Sequence, residues 1–171
     1  MIFEPFKLAG ATNTMLITNK QQGQLYMSML NPYQDGVIDR LETLIWQPGG
    51  GVNGRYRLGL WLKPFGSASF IFIAETVSLL SNVGGFVGGA ISPVNLSHGT
   101  AYYIGVCGVN SDQGHFAFDG LNANQPYQLS LLFDNPFPGG VAPGDPCPSL
   151  SGLTIPNNQS SRRVYVRGSK L

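Results

Sequence analysis

Residues 37–63 read VIDRLETLIWQPGGGVNGRYRLGLWLK. Two-residue alternation runs through both ends of this stretch, and glycines crowd its centre. In the second run Tyr56, Leu58, Leu60 and Leu62 alternate with Arg57, Gly59, Trp61 and Lys63. In the first run Leu41, Thr43 and Ile45 alternate with Arg40, Glu42, Leu44 and Trp46. Successive side chains of a strand point to opposite faces, so each run has one core face and one mixed face. The centre, Gln47-Pro48-Gly49-Gly50-Gly51-Val52-Asn53-Gly54, is turn chemistry, and the expectation is an antiparallel pair. Pairing that is symmetric about the turn sets Arg40 near Trp61 and Glu42 near Arg57. Arg40, Trp46, Arg57 and Trp61 then share an outward face, an aromatic and polar platform for a partner subunit or a sugar.

The same punctuation extends in both directions. Short apolar and β-branched runs are bounded by Gly, Pro, Asn and Asp. Further strands are expected at 14–18, 24–30, 70–79, 100–109, 115–119, 128–133 and 163–167. Gly84-Gly85-Phe86-Val87-Gly88-Gly89 lacks the Lys-Ser/Thr of a phosphate-binding loop and reads as a turn or a closely packed bend. A short helix is conceivable around 78–83, against the glycines beside it. Nine strands and no capped helical period point to a β-sandwich or barrel. The chain divides into a β-sandwich core at 1–133 and a distinct segment at 134–171, packed on the same domain or on a neighbour. That segment opens with a Pro/Gly-rich stretch holding six prolines between Pro136 and Pro156. It ends in a basic arm, where Arg163, Tyr165 and Arg167 share one face and Val164 and Val166 the other. Such an arm is either a basic edge strand or a strand added to a neighbouring subunit's sheet.

Composition narrows the function. In 171 residues there are ten basic and nine acidic side chains, only 11% charged against roughly 25% in an average domain. The uncharged polar set is larger: 12 Asn, 9 Gln, 14 Ser and 7 Thr. A net charge of +1 argues for no nucleic-acid partner, and basic residues do not interleave with aromatics as in a single-strand groove. Charge keeps monomers apart, so a surface this poor in it suits an assembly or a carbohydrate binder. The N-terminus lacks the pattern of a signal peptide, and no apolar run reaches the ~20 residues of a membrane span. The expectation is a protein made in a cytosol, with no membrane partner. Cys107 lies in an apolar run and Cys147 in a Pro/Gly loop; in a reducing compartment two thiols are the default over a disulfide.

Catalytic and metal motifs are mostly missing. There is no Gly-x-Ser-x-Gly and no His-Glu-x-x-His. Asp112, His115 and Asp119 lie close together, with His115 and Asp119 on one strand face, but no residue beside them supplies a nucleophile. Asp134-Asn135 has no calcium-loop spacing around it. No cofactor, metal or catalytic residue is expected.

One order of pieces is shared with a known group. Gly54-Arg55-Tyr56-Arg57-Leu58-Gly59-Leu60-Trp61 is followed by Ile73-Ala74-Glu75-Thr76. Then come Leu96-Ser97-His98-Gly99-Thr100-Ala101-Tyr102-Tyr103-Ile104-Gly105-Val106 and Asn135-Pro136-Phe137-Pro138-Gly139. Over roughly residues 37–140 the chain resembles the jelly-roll β-sandwich modules of phage virion proteins: tail, fibre and head-decoration components. Their common elements are a Tyr-x-Leu-x-Leu-Trp-type strand, a Gly-Thr-x-Tyr-Tyr-Ile-x-Val strand and a late Pro-Phe-Pro. The resemblance implies one jelly-roll sandwich and a non-enzymatic virion structural protein, made in the host cytoplasm. A capsid decoration or cement protein, or a tail accessory, fits best, with copies of itself and other virion proteins as partners. The alternative is a carbohydrate- or receptor-binding module of a tail or fibre protein, taking a surface glycan on Trp46, Trp61 and Tyr127.

Overall fold

The computed structural model describes residues 2–3, 14–16, 25–30, 32–49, 54–67, 69–109, 115–119, 130–133, 149–151, 153, 163–164 and 166–170. Among them there is no helix and every strand pairing is antiparallel, so the protein is all-β. The described strands are β1 (Ile2–Phe3), β2 (Thr14–Leu16), β3 (Leu25–Leu30), β4 (Gly36–Gln47), β5 (Arg55–Leu62), β6 (Ile71–Glu75) and β7 (Leu79–Leu80). They continue with β8 (Gly85–Leu96), β9 (Tyr102–Val109), β10 (His115–Asp119), β11 (Ser130–Phe133), β12 (Arg163–Val164) and β13 (Val166–Ser169).

Two sheets share these strands. In the seven-stranded sheet β8 runs along one side of β4, from Gly36↔Leu96 to Ile45↔Gly85. On the other side of β4, β13 covers Arg40 to Thr43, and β10 covers Ile45 and Gln47. β1 lies beyond β13, while β2 and β12 pair with the far half of β10. The six-stranded sheet has the order β11-β3-β9-β5-β6, with β7 also on β5. Its registers keep apolar faces together: Leu58↔Val106 and Leu60↔Ile104 on one face, Trp61↔Tyr103 on the other.

One core joins the sheets. It takes Ile38, Leu41 and Ile45 from β4, Leu58 and Leu60 from β5, and Ile104 and Val106 from β9. A second cluster covers the opposite face of the six-stranded sheet: Leu25, Met27, Trp61, Tyr103, Cys107 and Leu150. Cys107 is a buried thiol without a disulfide. Gly99 has a φ of 72° and admits the chain into β9, the conformation its place before Thr100 calls for.

The hairpin expected of residues 37–63 does not form. β4 and β5 belong to different sheets, so Arg40 does not face Trp61, nor Glu42 Arg57. Seven residues, 48–54, carry the chain across the ~10 Å that separates stacked sheets, well within their reach. Both runs do bury the apolar set expected of them, but against each other through the core rather than side by side.

A second correction concerns residues 84–89. They are no turn: from Gly85 they form the start of the twelve-residue strand β8. Glycine is required there by close approach, because a Cβ on Gly88 would strike the Leu41 carbonyl oxygen and lie 2.7 Å from the Glu42 Cα. The helix around 78–83 is absent, and Leu79–Leu80 is strand β7. The C-terminal arm pairs within its own chain. β13 lies inside the seven-stranded sheet, between β1 and β4.

Candidate interaction surfaces

On the outer face of the seven-stranded sheet the direct neighbours Glu42↔Arg167 and Glu42↔Gly88 follow from the registers of β13 and β8. Arg40, two residues from Glu42 on β4, projects to the same face. Arg40 Nε donates to Glu42 Oε1 at 2.9 Å and Arg167 Nε donates to Glu42 Oε2 at 2.7 Å. Arg40 Nη2 also donates to the Gly88 carbonyl at 3.2 Å. Burial pushes the Glu42 carboxyl up, but the hydrogen bonds and charges of the two guanidinium groups outweigh it, so its pKa lies below the ordinary value. The Arg167 guanidinium also stacks on Phe86, 3.8 Å from the ring centroid. The platform residue Arg40 and the arm residue Arg167 are thus brought together by Glu42, the carboxylate expected beside Arg57.

Trp61 is not a platform residue. It points away from the shared core, as its alternation requires, yet only 1% of it is exposed. The reason lies beneath it and above it. Gly59 and Gly105 are direct partners in the β5–β9 pairing and form a floor without side chains. A Cβ on Gly59 would collide with the indole, and one on Gly105 would lie 3.0 Å from it. Leu150 packs in the same cluster, and Phe72 meets the indole edge-on at 5.9 Å between centroids. Burial also raises the pKa of the Tyr103 hydroxyl on this face.

Arg57 has a different partner from the one expected. Its Nη1 lies 3.4 Å from Glu75 Oε1 and donates to the Thr76 carbonyl at 2.8 Å. The same Glu75 carboxylate holds the segment that carries Leu150. Ser149 Oγ donates to Oε1 and the Leu150 amide to Oε2, both at 2.6 Å. This part of the Pro/Gly-rich segment therefore packs on its own chain. No spacing in the sequence announces a Glu75–Ser149 contact, because the two lie 74 positions apart.

The remaining expected residues are less fully seen. The backbones of Trp46 and Arg163 are placed in β4 and β12, and their side chains lie outside the described part. Tyr165, Tyr127, Asp112 and Cys147 lie outside the described residues. His115 and Asp119 begin and end β10, with side chains likewise outside. Among the described residues no three His, Cys, Asp or Glu side chains group as metal ligands.

A third surface was not singled out in the sequence. Residues 76–111, thirty-six in succession, contain no Asp, Glu, Lys or Arg. They supply β7, β8 and β9. β9 is central in its sheet, but β7 and β8 border one flank of the molecule. Val77 is 69% exposed and Val83 57%, and Leu80 and Phe86 are also exposed. A count of charges along the chain would have found this run. The exposure of its apolar residues required the fold. The chain matches no protein-family model and no curated protein.

Proposed function

We propose that the protein is a non-enzymatic structural component of a phage virion, a capsid decoration or cement protein or a tail accessory, built as a jelly-roll sandwich. Two antiparallel sheets on a shared core are compatible with that architecture. The observation that carries the reading is the uncharged run 76–111, which exposes Val77, Leu80, Val83 and Phe86. Exposed apolar side chains gain free energy when a neighbouring subunit covers them. The protein acts through subunit contacts, with copies of itself and other virion proteins as partners.

The glycan-binding alternative loses one of its three aromatic residues, since the Trp61 ring is covered and offers no stacking face. The virion reading is tested on particles. Particles purified from the lysate that yields this chain should contain it at a fixed stoichiometry by mass spectrometry. A chain found only in the soluble fraction, in a lysate rich in particles, overturns the proposal.

A further inference from the structure

We infer that residues 149–153 form a strap that opens as a unit while both sheets stay folded, with the Glu75 carboxylate as its latch. Closed, the strap covers an apolar depression on the outer face of the six-stranded sheet. Open, it admits small apolar or thiol-reactive molecules to Trp61 and the Cys107 thiol. Three observations carry this.

The first is how the strap is attached. Ser149, Leu150, Ser151 and Leu153 belong to no strand. Hydrogen bonds among them close a turn: the Leu153 amide donates to the Leu150 carbonyl at 3.2 Å, and the Ser151 amide to Ser149 Oγ at 3.3 Å. Among the described residues, the segment's hydrogen bonds to the sheets are the two that Glu75 accepts, from Ser149 Oγ and the Leu150 amide. Lifting the strap therefore breaks no bond of a β-ladder. Ser149 is exposed, so water replaces the hydrogen bond of its hydroxyl as it leaves.

The second is what lies beneath. Leu150 is fully buried and sits over Gly59, whose Cβ would lie 2.9 Å from Leu150 Cδ1. Under Leu150 and Leu153 are Met27, Trp61, Tyr103 and Cys107. These stand on β3, β5 and β9, each of which has a strand on both sides. The opposite face of the same strands is held in the shared core by Leu30, Leu58 and Ile104. Loss of the strap strips one layer from one face and leaves the ladders and the core in place, which is the pattern of a local opening.

The third is the latch. Glu75 is the direct partner of Gly59 and stays placed without the strap. Arg57 Nη1 lies 3.4 Å from its Oε1 and is itself fixed by the Thr76 carbonyl at 2.8 Å. The carboxylate is thus a standing acceptor to which the strap returns.

The test is maleimide labelling of Cys107 in a Cys147→Ser background, followed by mass spectrometry over a urea series below the unfolding transition. Global unfolding is followed on the same samples by far-ultraviolet circular dichroism. Without urea the labelling rate should be at least about tenfold above the rate that global unfolding allows, and nearly flat in urea, because the opening exposes little surface. Glu75→Gln should raise this rate at least about fivefold. Ser149→Ala, which leaves Glu75 paired with Arg57, should raise it by a smaller factor. Glu42→Gln, on the other sheet, should lower the unfolding midpoint and leave the flat rate unchanged. Labelling that follows global unfolding at every urea concentration overturns the inference. So does a Glu75→Gln chain that labels at the parent rate, or a Glu42→Gln chain that labels as fast as Glu75→Gln. If Glu75→Gln loses its spectrum, Ser149→Ala decides: a folded Ser149→Ala chain that labels at the parent rate overturns the inference as well.

Discussion

Trp61 shows how little a strand's alternation says about exposure. Its side chain faces away from the shared core, and it is buried all the same, because Gly59 and Gly105 leave room under the indole and Leu150 closes over it. Removing so large a buried ring costs about 3–5 kcal/mol. Trp61→Ala should lose stability of that order in urea denaturation. In a Trp46→Phe background the remaining tryptophan should emit at short wavelength and resist acrylamide quenching. Glu42 is the corresponding polar case. Its carboxyl has a lower pKa in the fold than the 4.5 of an ordinary glutamate. The carboxylate therefore contributes stability above about pH 4.5, and that contribution disappears as pH falls through the lower folded value. Glu42→Gln should be less stable at neutral pH, by on the order of 1–3 kcal/mol for a lost charge-assisted pair. Its stability should also vary less with pH between 5 and 3 (about the carboxylate range) than that of the parent chain.

Strands were easier to recognise than their partners. The runs at 24–30, 37–46, 56–63 and 100–109 are strands within a residue or two, because alternation and β-branched content are local properties. β8 was misread because glycine signals a turn in a sequence, whereas Gly88 answers to a carbonyl on another strand. The C-terminal arm was read as an edge or an exchanged strand, and β13 instead lies between β1 and β4. Deleting residues 162–171 should therefore lower the thermal midpoint sharply or abolish soluble expression, not merely separate subunits. The segment at 149–153 is held in another way, by the Glu75 carboxylate. In a Cys147→Ser background, Glu75→Gln should speed labelling of the buried Cys107 thiol by a maleimide at least several-fold, as Leu150 loosens from the same cluster. Unchanged labelling would show that apolar packing alone holds the segment.

The whole molecule carries its charges in small neutralising groups: Glu42 with Arg40 and Arg167, and Glu75 with Arg57. The pairing of β1 with β13 joins the two ends of the chain, and such distant pairings slow folding.

By itself the sequence determined the all-β class, the location of most strands and which residues of β4 and β5 turn inward. These follow from the period of two and from turn chemistry, both of which act over a few residues. It also determined the charge-free run at 76–111. Only the tertiary structure decided that β4 and β5 lie in different sheets, that Trp61 is covered and that Glu42 joins Arg40 to Arg167. Each of these depends on a partner many positions away, and local pattern fixes a strand's faces without fixing what lies across from them.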